Sequence, residues 1–69
     1  MSKLKLKERL TEDLEYGILN TDLEIKVRRK WLLSTTEKEV RDELTKQIEQ
    51  LIAGQDFIKE KLKILQLEK

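Results

Sequence analysis

The 69 residues are expected to form an all-α protein. Its architecture is expected to be a small helical bundle of two short helices and one long C-terminal amphipathic, coiled-coil-like helix, completed by oligomerisation. Three observations predict this. Leu, Lys and Glu supply almost half of the chain and Pro is absent, a composition whose side chains lose little rotamer freedom in a helix. Apolar residues recur at three- and four-residue spacing through the C-terminal half. Cys and His are both missing, so neither a disulfide nor a thiolate or imidazole metal site can staple a core of this size, and packing or association must do so.

The first helix is expected over about residues 2–19, with Ser2 as its cap and Leu6, Leu10, Leu14 and Ile18 on one face. Lys3-Leu4-Lys5-Leu6-Lys7 also alternates with period two, so strand and helix are both open for residues 3–7. Tyr16-Gly17 and Asn20 weaken a helix and mark its end. Thr21-Asp22-Leu23-Glu24 then reads as a capping box, opening a second helix over 21–33 that carries Leu23, Val27 and Trp31 on its buried stripe.

Ser34-x-x-Glu37 and Thr36-x-x-Glu39 are overlapping start signals for a long helix over 36–66. Leu44, Ile48, Leu51, Gln55, Ile58, Leu62 and Leu65 follow, alternately four and three apart, as a heptad seam with one polar member. Ala53-Gly54-Gln55-Asp56 could stop that helix and cap another, but the register passes through Gly54 without a skip, which favours continuity. A polar residue in such a seam selects register at some cost in stability; the alternative for Gln55 is a solvated position beside Gly54. Ile52, Phe57 and Ile64 widen the stripe beyond a two-stranded seam. Two short helices would leave residues 57–67 uncovered, and so large an apolar patch calls for a cover. A second copy of the chain is the expected one, in a dimer or higher assembly. The interface is assigned to the seven seam residues, and the whole chain to a single domain, 1–69.

Composition also limits function. With neither imidazole nor thiolate, and too little chain to build a cleft, no catalytic residue, cofactor or metal ligand is assigned. Glu8, Glu12 and Glu15 share a face, but an exposed acidic face lacks the organised oxygen shell that a hard cation needs. No apolar stretch approaches the ~20 residues of a membrane span, and a cytoplasmic protein is expected. The leading functional expectation is a non-enzymatic protein–protein interaction module: an adaptor, inhibitor or assembly factor of the kind that bacterial and phage genomes encode.

The alternative is a small dimeric DNA- or RNA-binding regulator. Lys26, Arg28, Arg29 and Lys30 lie beside Trp31 in the sequence and could contact phosphates while the indole stacks on a base. Against it stand a net charge of +1, five acids and no base in residues 12–24, and a Trp31 expected in the core. That acidic stretch could instead meet the basic one across a subunit boundary, orienting an antiparallel dimer. Leu33-Ser34-Thr35-Thr36 also offers a weak helix-turn-helix joint, opposed by Glu37 and Glu39 at the head of the following helix.

Overall fold

The computed structural model describes residues 3–67. They form a hairpin of two antiparallel helices, α1 over Lys3–Ser34 and α2 over Lys38–Leu67, joined by the three residues 35–37. At 1.5 Å rise per residue the 32 residues of α1 span about 48 Å, and the 30 of α2 span about 45 Å. Their lengths match within about one turn, which gives a rod of 53 × 15 × 13 Å.

The all-α class stands, but the first two helices of the expected bundle are one. No break occurs between 19 and 21, because the Thr21 hydroxyl does not cap a new helix. It donates 2.7 Å back to the carbonyl of Gly17, one turn earlier, as Thr11 does to Lys7 at 2.8 Å. Such back-bonding satisfies a hydroxyl inside a helix. Glu24, the other half of the expected capping box, pairs with Arg28 one turn ahead. Gly17 keeps an ordinary backbone conformation and costs a helix interior only about 1 kcal/mol, less than a chain break that would forfeit contact with α2. The segment 3–7, open between strand and helix, is helical. Ser2 lies outside the described residues.

The long helix starts at Lys38 rather than 36 and runs without interruption through Gly54. Ser34 and Thr35 serve the helix behind them: both hydroxyls donate to the carbonyl of Trp31, at 3.1 and 2.7 Å. Arg41 completes this end of the hairpin, its guanidinium donating to the carbonyls of Leu32 and Thr35 at 2.8 and 3.0 Å. Together these bonds satisfy carbonyls that a helix C-terminus leaves free. Antiparallel helices with that turn differ from a helix-turn-helix, whose helices cross at a wide angle.

The core is a single seam. Residues of α1 that turn inward follow four-three spacing: Thr11, Leu14, Ile18, Thr21, Ile25, Arg28 and Leu32 are buried or half-buried. Opposite them stand Leu44, Ile48, Leu51, Gln55, Ile58, Leu62 and Leu65, again buried or half-buried. Among the described residues, only Ile25, Leu44 and Ile48 are buried apolar side chains. Leu23, Val27 and Trp31, expected inside, are instead 53%, 44% and 53% exposed. The cause is rotational. Residues four apart advance about 40° around a helix at roughly 100° per residue, so a stripe held at strict four-residue spacing walks off any one face. Leu14 and Ile18 therefore reach the seam, whereas Leu6 and Leu10 do not.

Candidate functional site

Two of the polar side chains in the seam, Gln55 and Arg28, bond across it and define its register. Gln55 is 5% exposed, and its Nε2 donates to the Ile18 carbonyl at 3.0 Å and to Asp22 Oδ1 at 2.8 Å. Arg28 donates through Nε to Gln47 Oε1 at 2.9 Å, while its terminal nitrogen engages the Glu24 carboxylate and carbonyl. With the approach of Ile58 to Gly17, these contacts pair ascending positions on α1 with descending positions on α2. No buried side-chain nitrogen or oxygen is left without a partner among the described residues.

All seven residues expected at an intermolecular interface lie on the side of α2 that faces α1. Leu44, Ile48 and Gln55 are buried; Leu51, Ile58, Leu62 and Leu65 are half-buried. The length argument behind that expectation does not hold, because α1 is long enough to run beside the whole of α2. What stays outside is the flank: Phe57, Ile64 and Leu67 are 62%, 53% and 73% exposed.

The basic cluster is divided by helix geometry. Lys26, Arg29 and Lys30 are exposed, but Arg28 turns into the seam with its side chain 22% exposed. Its Nε is directed at Gln47 and one terminal nitrogen at Glu24. Trp31 follows Arg28 by three residues and Glu24 by seven, so it stands on the flank that Glu24 also occupies. Four cations and an indole do not form one face.

The two flanks of the hairpin differ. One carries Glu8, Glu15, Asp22 and Arg29 in line at seven-residue spacing. The other carries Leu10, Gly17, Glu24 and Trp31 on α1, beside Val40, Gln47, Gly54 and Lys61 on α2. At the open end of this second flank, Leu10, Leu14, Phe57, Ile64 and Leu65 line a groove of about 450 Å³ with Asp13, Glu60 and Lys61 at its edge. The Lys61 ammonium stands 5.0 Å from the Phe57 ring centroid, a cation–π distance. At the turn end of the same flank stand Val27, Trp31 and Val40, each more than two-fifths exposed.

The seam was visible in α2 from its heptads. The flank of α1 was not, because Leu10 and Trp31 were assigned to separate helices; alignment of 10, 17, 24 and 31 at seven-residue spacing was the signal that would have joined them. Among the described residues there is no group of carboxylates placed to hold a metal ion, and no helix is long and apolar enough to cross a membrane. No protein-family model, curated protein or solved structure matches the chain.

Proposed function

We propose that this chain is a non-enzymatic helical interaction module, an adaptor, inhibitor or assembly factor whose working surface is the apolar flank of the hairpin. The observation that carries this reading is the groove at the open end, with Phe57 and Ile64 more than half exposed on its wall. Helix pairs take up partners by laying apolar anchors into such grooves. The inward seam would hold the two helices in register, and its polar bonds would keep the flanking residues in fixed positions.

Affinity capture from a cell extract tests the reading, comparing the wild-type chain with Ile64→Glu, which places a carboxylate in the groove at an exposed helical position. Proteins held by the wild type and lost by the variant are the expected result. An identical set on both would remove the groove from the function.

A further inference from the structure

We infer that the outer face of α1, the side turned away from α2, is a self-association surface on which a second copy of this chain docks antiparallel. It is not the flank that carries the groove, and docking there leaves the groove of each copy open.

This face is a second heptad line on the same helix. Glu12, Tyr16, Leu19, Leu23, Lys26 and Lys30 follow one another alternately four and three apart, so they share one side of α1. All six are exposed. At the middle of the line Tyr16, Leu19 and Leu23 are 66%, 55% and 53% exposed. Leu14, Ile18 and Ile25 already supply the apolar face that α1 needs against α2. A helix with one neighbour needs one such stripe, and pairing with α2 gives these three outward residues nothing to cover.

The order of charge along the line selects the occupant. It begins with an acid, passes through three apolar residues and ends in two bases. Reversed about a two-fold axis at the level of Thr21, that order is complementary to itself, and each contact occurs twice. Leu19 then packs on Leu23 of the second copy, Tyr16 meets Lys26, and Glu12 meets Lys30. At the edge of the same face Glu15 comes beside Arg29 of the second copy. Parallel copies would instead set Glu12 on Glu12, Lys26 on Lys26 and Lys30 on Lys30, which is repulsive at each level. Asp22 approaches its own counterpart at the axis, but its carboxylate already accepts a hydrogen bond from Gln55 at 2.8 Å. Within one hairpin Glu12 and Lys30 stand 18 positions apart, about 27 Å along the helix, so they pair only between copies. The ion pair inside the hairpin, Arg28 with Glu24, uses none of the six.

A charge swap tests both the surface and its direction. Sedimentation equilibrium of the full-length chain is recorded from micromolar to millimolar concentration at low salt, with circular dichroism of the dilute chain as the control for folding. The expected result is a reversible monomer–dimer equilibrium. Leu23→Glu should raise its dissociation constant at least tenfold, because two buried leucine contacts are lost. Glu12→Lys should raise it about fivefold, since two exposed pairs turn repulsive. Combining Glu12→Lys with Lys30→Glu re-forms both pairs with their signs exchanged and should return the constant to within about twofold of the wild type. Glu49→Lys, the same change of charge at an exposed position of α2, should leave it within about twofold. A monomer up to millimolar concentration, a dimer indifferent to Leu23→Glu, or a double variant as weak as Glu12→Lys alone would each overturn the proposal. The capture experiment with Ile64→Glu succeeds or fails separately, since it reads a different surface.

Discussion

Replacing Gln55 separates a register-setting hydrogen bond from simple packing. Gln55→Ala removes a bond to the Asp22 carboxylate at 2.8 Å and one to the Ile18 carbonyl at 3.0 Å. A bond to a charged group contributes about 1.5–3 kcal/mol, and one to a neutral carbonyl about 0.5–1.5 kcal/mol. The Ile18 carbonyl keeps its place in the helix ladder, and Asp22 is exposed and regains water, so both contributions fall at the low end. Release of the glutamine's rotamer freedom offsets up to about 1.5 kcal/mol, and loss of its buried methylene adds back about 0.8 kcal/mol. The net expectation is a loss of about 1–2 kcal/mol for Gln55→Ala. Gln55→Leu, which fills the seam with apolar volume, should lie within about 1 kcal/mol of the wild type. A cycle with Asp22→Ala should show coupling of about 1 kcal/mol. Urea unfolding followed by circular dichroism at one fixed chain concentration measures all four, since association would shift the midpoint by mass action. If Gln55→Ala falls within about 0.5 kcal/mol of a surface control such as Glu49→Ala, and the cycle shows no coupling, the buried bond does not hold this register.

The remaining expectations concern the backbone, the turn and the core. Gly54→Ala should raise helix stability by about 1 kcal/mol at concentrations where the chain is monomeric, because its new methyl meets open space. Gly17→Ala should gain less, its methyl lying 3.4 Å from Ile58 Cδ1; thermal melts compare the two. Arg41→Ala should fray the end of α1, with faster amide exchange in residues 35–37 and a loss of about 1–2 kcal/mol, since two carbonyls lose their donor. Ile25→Ala should cost about 2–4 kcal/mol, a large share of the stability of so thin a core, and calorimetry at fixed concentration reads it. Arg28→Ala should destabilise the hairpin in urea while leaving any weak, salt-sensitive retention on nucleic acid unchanged, because that guanidinium is engaged by Gln47 and Glu24.

The long seam of α2 was legible because seven residues repeat at heptad spacing, and Gly54 did not interrupt it. The first half misled for a local reason: Gly17, Asn20 and Thr21-x-x-Glu24 together imitate a stop and a start. Their hydroxyl and carboxylate can be satisfied equally well inside a continuous helix, and only the benefit of lying along α2 decides between the two. Exposure of Trp31 was hidden for a related reason. Leu23, Val27 and Trp31 form a plausible stripe taken alone, but the partner helix selects Ile18, Ile25 and Leu32, and two polar positions, Thr21 and Arg28, ride inward with them. The flank emerges only after both helices are paired, when Leu10 and Phe57, 47 positions apart in the sequence, come to share a groove.

Everything assigned to the outer flank depends on this pairing of α1 with α2. Nuclear Overhauser contacts of the Gln55 side-chain amide test it most directly, in the labelled full-length chain with helical chemical shifts recorded across residues 14–25. Contacts from that amide to Ile18 and Asp22, with unbroken helical shifts through Gly17 and Thr21, are expected. Contacts of Gln55 to the 6–10 segment, or loop shifts at 19–21, would contradict the hairpin and return Trp31 and Leu10 to unrelated surfaces.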